Sequence, residues 1–111
     1  MINNMTTTDS FRKLALSFPG VEELPHFEKT SFRINKKIFA TMNEKENRAT
    51  VKLSENDQHI FCLNDRSIVY PVPNKWGLQG WTNIELTKIK KRLLTQILKS
   101  SFKEVESKSS K

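Results

Sequence analysis

The stretch SFRINKKIFATMNEKENRATVKL, residues 31–53, decides the fold because apolar and polar side chains alternate along it. The segments SFRIN, KIFATM and RATVKL each place apolar residues at every second position, the period of a β-strand with one buried face. Short polar connections lie between them, near Asn35-Lys36 and at residues 43–47. The pattern therefore predicts three consecutive strands joined by tight turns.

The same alternation predicts which face of the sheet each side chain occupies. Ile38, Ala40 and Met42 are expected on one inward face. The outward face collects polar and basic side chains, namely Arg33, Lys37, Thr41, Thr50 and Lys52. We therefore expect a sheet that is buried on one side and presents positive charge on the other.

The segments on either side of these strands complete the domain. A cap at Thr8 or Asp9 precedes apolar residues at helical spacing up to Phe18. Residues 54–64 predict a short second helix, residues 67–72 and 81–86 predict two more strands, and Thr87 is expected to cap a last amphipathic helix with a basic face that includes Lys88 and Arg92.

The predicted fold class follows from this order of elements. It is α+β with two layers: a mainly antiparallel five-stranded sheet with helices packed on one face, in the order α-β-β-β-α-β-β-α. We expect a single domain over residues 9–104, between a flexible N-terminus at residues 1–8 and a flexible basic tail at residues 105–111.

Composition limits the classes of function. The 111 residues carry a net charge of +7, and residues 31–111 contribute 16 basic against 8 acidic groups. Such a domain attracts polyanions, nucleic acid among them. The single cysteine, Cys62, excludes an intrachain disulfide and a cysteine-based zinc cluster. The start MINNMTTTDS does not resemble a signal peptide, and no apolar run is long enough to span a membrane, so the expected location is cytoplasmic.

Catalytic and metal-binding patterns are weak. The two histidines form no H-E-x-x-H pattern, and three glycines do not build a phosphate-binding loop. His26 with Glu23 or Glu28 is the one conceivable metal contact, although a lone loop histidine is usually a surface residue. We therefore expect no enzymatic activity, no catalytic residues, no cofactor and no metal site.

The stretch KWGLQGWT, residues 75–82, contains both tryptophans and two of the three glycines. Its glycines suit a sharp connection between two antiparallel strands. Trp81 begins the second of these strands and is expected to pack inward. Trp76 lies nearer the tip, where it either covers the sheet edge or stacks on a base.

A family resemblance extends over most of the chain. It is carried by ALSFPGVEE (15–23), HFEKTSFRINKKIFATM (26–42), VKLS (51–54) and KWGLQGWTNIEL (75–86). These segments resemble the MmcQ/YjbR-like family of DNA-binding proteins, whose compact architecture is similar to the frataxin (CyaY-like) fold.

The resemblance implies a function and a set of residues. The family is described as DNA-binding through a paired β-hairpin, or double-wing, arrangement. The positions that match the wings here are Arg33, Lys36, Lys37, Lys52, Lys75 and Trp76. The expected partner is duplex DNA, bound weakly and largely independently of sequence. The alternative is a protein-interaction or chaperone-like adaptor with neither a nucleic-acid nor a catalytic role.

Overall fold

The computed structural model describes residues 6–109, and the termini at 1–5 and 110–111 lie outside it. The flexible N-terminus expected at residues 1–8 and the flexible tail expected at residues 105–111 thus lie only partly outside the described residues, since residues 6–8 and 105–109 are described. The elements, in chain order, are α1 (Thr8–Leu16), β1 (Glu22–His26), β2 (Lys29–Ile34), β3 (Lys37–Asn43), β4 (Arg48–Lys52), α2 (Glu55–Cys62), β5 (Val69–Pro71), α3 (Lys75–Leu78), β6 (Trp81–Glu85) and α4 (Lys91–Ser109).

The six strands form one antiparallel sheet in the order β1-β2-β3-β4-β6-β5. The predicted α+β class is confirmed, but the sheet has one strand more than the five expected. The additional strand, β1, lies between the predicted first helix and the first predicted strand, where we expected no strand and took His26 to be a loop residue. Its sequence EELPH has no apolar alternation and contains a proline, so no strand was predicted there. Such a sequence can form β1 because this strand lies at the edge of the sheet, where charge and proline are tolerated.

Helices cover one face of the sheet, which we call the core face. Phe11 of α1 contacts Phe32 of β2 edge to face, with ring centroids 5.7 Å apart. Phe102 of α4 makes the same kind of contact with Phe39 at 5.8 Å. The hydroxyl of Ser101 donates to the carbonyl of Phe39 at 2.8 Å. These contacts fix α1 and α4 on the sheet and leave its other side, the open face, without a helix packed across it.

A β-bulge in β3 changes the predicted faces. Phe32 pairs with Ala40 but Arg33 pairs with Ile38, so Phe39 is an extra residue in the ladder. Ala40 and Met42 are buried in the core, as expected, and Phe39 is buried with them. The expectation that Ile38 shares their face is wrong, because the extra residue reverses the alternation and turns Ile38 to the open face.

The helices differ from the prediction mainly at their ends. The side chain of Thr7, not Thr8 or Asp9, caps α1 by accepting a hydrogen bond from the Ser10 amide at 3.0 Å. The last helix begins at Lys91, so Lys88 lies in the preceding turn and not on the helix. It continues to Ser109 with Val105 buried, beyond the domain end that we placed at residue 104. Within residues 6–109 no helix is both long and apolar enough to cross a membrane.

Candidate nucleic-acid interface and open-face cleft

The antiparallel sheet places the predicted wing residues at one end. Here β2 ends and β3 begins, β4 ends, and the β5–α3–β6 connection turns. The residues at this end are Arg33, Lys36, Lys37, Lys52, Lys75 and Trp76, and we call the region the basic end. The fold therefore brings together positions up to 43 residues apart in the chain.

The first wing is the turn between β2 and β3. Asn35 and Lys36 both have positive φ, 52° and 69°, as a two-residue type I′ hairpin turn requires. This turn keeps the strands in register, with Ile34 opposite Lys37. Lys36 and Lys37 are exposed at its tip. Arg33 lies on the open face and donates from Nε to the hydroxyl of Ser31 at 3.0 Å.

The second wing is the connection that contains α3. Asn74 accepts a hydrogen bond from the Trp76 amide at 2.9 Å and starts a single helical turn within what we had predicted as a sharp connection between two strands. Gly80 ends it with φ +104°, and a Cβ there would lie 1.9 Å from the carbonyl oxygen of Leu53. The chain can therefore turn from α3 into β6 at this position only if the residue is glycine. Lys75 is exposed and Trp76 is 51% exposed.

Gln58 of α2 holds this second wing against the sheet. Its buried amide nitrogen lies within hydrogen-bond distance of the Gly77 carbonyl, the Trp81 carbonyl and the Thr82 hydroxyl, at 2.9, 3.2 and 3.1 Å. No sequence pattern indicated this role, because a glutamine on a short amphipathic helix is usually solvated. Its burial becomes visible only when α2 and β6 are placed together.

Lys52 is the wing residue with the most local contacts. Its ammonium donates to the carbonyl of Gln79 and lies 5.9 Å from the ring centroid of Trp81. Burial lowers the pKa of Lys52, and nearby Lys108 lowers it further. The side chain thus connects β4 to the end of the second wing while its charge remains at the basic end.

Trp81 does not pack inward as we expected. The buried residues of β6 are Thr82 and Ile84, so the alternating positions Trp81 and Asn83 face the open side. The prediction was wrong because the size of the tryptophan was weighed above the period of the strand. Ile84 is the apolar residue expected to face inward, and Trp81, three residues earlier, falls on the opposite face of a strand. This alternation was the signal that could have placed Trp81 correctly.

The open face contains a cleft of about 690 Å³ that runs away from the basic end. Trp76 and Trp81 line one end, together with Ile38, Val72 and Pro73. The middle is polar, with Thr41, Thr50 and Asn83, and the far end has His26, Lys29 and Arg48. Of the six predicted site residues only Trp76 lines this cleft. Thr41 and Thr50 were correctly expected on the outward face, but Lys37 was not, because beyond the bulge it pairs with buried Ile34 and so lies on the core side.

An ion-pair network closes the far end of the cleft. Arg48 donates to Glu85 at 2.8 Å and to Glu46 at 2.9 Å. Tyr70 also donates its hydroxyl to Glu85. Partial burial would raise the pKa of Glu85, but the hydrogen bonds from Tyr70 and Arg48 outweigh it and the pKa is lowered. The pKa of Tyr70 is raised by burial and by the same carboxylate.

The remaining candidate groups of the sequence occupy unremarkable positions. Cys62 is buried, and burial raises the pKa of its thiol, which disfavours the reactive thiolate. Within residues 6–109 no three or more histidine, cysteine or acidic side chains are grouped as metal ligands would be. Glu23, the possible partner of His26, instead accepts a hydrogen bond from Arg12 at 2.6 Å.

These features define an α+β domain with one antiparallel sheet, a basic end formed by two turns, and an aromatic cleft on the open face. The chain belongs to the YjbR family, whose family model matches residues 16–104. This confirms the resemblance seen in the sequence.

A solved structure shows the same fold. It is the crystal structure of Deinococcus radiodurans protein DR2400, described as the domain DUF419, with a TM-score of 0.84. The two proteins are 18% identical, and the match covers 100% of this chain and 86% of that chain. At this identity the likeness concerns the fold alone. No curated protein matches the sequence.

Proposed function

We propose that this protein is a non-catalytic DNA-binding module that contacts the phosphates of duplex DNA through its basic end. The observation that carries the proposal is the convergence of the two wings, with Lys36 and Lys37 on one and Lys75 on the other. Lys52 and Arg33 lie between and beside them on adjacent strands. Two basic projections at one end of a sheet suit the two phosphate rows that border a groove.

Two basic clusters lie at opposite ends of the sheet, and we take the basic end as the DNA surface because the two wings lie there. Among the residues at positions 6–109, no ion pair involves Arg33, Lys36, Lys37 or Lys75. The other basic cluster surrounds the start of α4, at the opposite end of the sheet, and there Lys88 acts on the carboxylates of Asp65 and Glu85.

We expect the binding to be weak and largely independent of sequence. Lysine ammonium groups act as point charges on phosphate, whereas base reading uses side chains in the grooves. Arg33 is the one arginine at the basic end, and its Nε already donates to Ser31. The expected contacts are therefore mostly electrostatic, which also makes them strongly dependent on salt.

The test is a fluorescence anisotropy titration with a labelled duplex at several salt concentrations. The log–log slope of affinity against salt should change by about 0.9 for each phosphate contact. Lys37→Ala combined with Lys75→Ala should flatten the slope by about 1.8. Lys88→Ala combined with Arg92→Ala removes the same charge at the other end and should flatten it less.

Two results would contradict the proposal. If the Lys88/Arg92 pair flattens the slope more than the Lys37/Lys75 pair, the start of α4 is the DNA surface. If the unmodified protein shows no salt-dependent binding even at ~50 mM salt, DNA binding itself is refuted.

An adaptor function is the second candidate, and exposed apolar side chains support it. Leu78 is 81% exposed beside Trp76 on α3, and Phe27 is 94% exposed at the turn beyond the far end of the cleft. Apolar groups at both ends of an open groove suit a protein segment lying across the sheet. Titration with a labelled acidic peptide tests this candidate, since Leu78→Ser should weaken peptide binding and leave DNA binding unchanged.

A further inference from the structure

The open-face cleft combines aromatic side chains at one end with amide and hydroxyl groups in its middle. At one end, the indoles of Trp76 and Trp81 offer two aromatic surfaces beside the basic end. A few residues further along the sheet, Thr50 donates its hydroxyl hydrogen to the amide oxygen of Asn83 at 2.7 Å. That bond uses the amide oxygen of Asn83, which lines the cleft, and its NH₂ group takes no part in it.

Aromatic faces next to amide and hydroxyl groups match the chemistry of a nucleobase. A base has a π-face that stacks on indole and an edge of donors and acceptors that an amide can read. The volume of about 690 Å³ lies within the range of small-ligand sites. The cleft is therefore large enough for one base and its sugar.

The position of the cleft links it to the basic end. Lys75 and Trp76 are consecutive, so a phosphate held by Lys75 has its own nucleotide within reach of Trp76. On the other side of the cleft mouth, the Lys52 ammonium lies 5.9 Å from the Trp81 ring. Each tryptophan is thus accompanied by a lysine, which is the arrangement of a single-strand site with alternating charge and stacking.

We propose that the cleft receives an unstacked base of the DNA strand whose phosphates meet the basic end. This inference rests on the proposed DNA binding and deepens it. It predicts a preference for DNA in which one base is unpaired over a continuous duplex of the same length and charge. The base stacks against Trp76 and Trp81, and Asn83 donates to its edge.

The experiment compares two labelled duplexes of about 20 base pairs by anisotropy. One is continuous, and in the other one base lies opposite an abasic site, so that the number of phosphates is equal. The unmodified protein should bind the second about tenfold more tightly. Trp76→Ala should abolish that preference, so that the two duplexes bind with equal affinity.

Two further variants make the comparison specific. Leu78→Ala removes an exposed apolar side chain from the same short helix without touching the cleft lining, and it should keep the preference. Asn83→Ala removes the donor and should reduce the preference partially, even if Trp76→Ala proves poorly folded. Quenching of tryptophan fluorescence by deoxyadenosine monophosphate, in a parallel arm, distinguishes a free nucleotide from a base carried by DNA.

Three results would overturn this proposal or the proposed function on which it rests. Equal, salt-dependent binding of both duplexes overturns the base-binding cleft and leaves the proposed phosphate contacts intact. Quenching by the mononucleotide without salt-dependent binding of either duplex overturns the proposed function and the DNA-borne base. Loss of the preference in Leu78→Ala as well as in Trp76→Ala assigns the effect to α3 in general and overturns the stacking role.

Discussion

Replacing Gln58 with methionine tests whether this one amide holds the second wing. Methionine keeps the approximate volume and removes the NH₂ group that faces Gly77, Trp81 and Thr82. An NH₂ group has two hydrogens, so at most two strong bonds exist at once, each contributing about 1 kcal/mol net. The Gly77 and Trp81 carbonyls keep partners in the Gly80 and Val72 amides, so neither becomes an orphan.

The expected loss is therefore about 2 kcal/mol of unfolding free energy, which lowers Tm by about 10 °C in a domain of this size. Thermal melts followed by circular dichroism provide the measurement. Gln79→Met makes the same chemical change at an exposed position of the same connection and should stay within about 0.5 kcal/mol of the unmodified protein. If the two variants melt together, the buried amide does not hold the wing, and the reasoning from its three contacts fails.

Three other measurements examine the fold and the site. Gly80→Ala should cost about 3 kcal/mol, visible as a large fall in Tm, because it combines a positive φ with a Cβ 1.9 Å from the Leu53 oxygen. Added ferrous iron or zinc should leave Tm within about 1 °C, since a ligand that binds only the native state would raise it; a clear rise would point to His26. Glu85 has a lowered pKa, so its contribution to the free energy of unfolding is present above pH 4.5, the ordinary pKa of a glutamate, and is lost as the pH falls through the lower pKa of the folded state. Glu85→Gln should therefore flatten the acid side of a curve of stability against pH, and an unchanged curve would contradict this.

The parts of the fold that could be predicted are those with a strict local period. β2, β3 and β4 were expected from alternation, and the turn at Asn35-Lys36 was placed correctly because a short polar pair separates two alternating segments. Such signals lie within a few neighbouring residues. The bulge at Phe39 could not be read in this way, because it is defined by which residues of β2 face it.

The basic end was better predicted than the cleft for a similar reason. Its lysines lie next to turns, and turns of an antiparallel sheet alternate between two ends, so strand order alone brings Lys37 and Lys75 together. The network of Arg48, Glu85 and Tyr70 was missed, because β4, β5 and β6 must first be aligned in register before the three side chains share a face. No spacing in the sequence encodes that alignment.

The cleft is the feature that local sequence patterns predict least well. Its floor consists of alternating positions on predicted strands, such as Thr41 and Thr50. Its two walls are β1, which brings His26, and α3, which brings Trp76, and neither was predicted as a strand or helix. A flat sheet with the same floor would display a basic surface and no concavity. Because α3 carries both Lys75 and Trp76 and is held by Gln58 and by the glycine at position 80, changes at those two residues should weaken both proposed contacts. The distinction between a basic surface and a ligand site in this protein thus depends on contacts between segments distant in the chain.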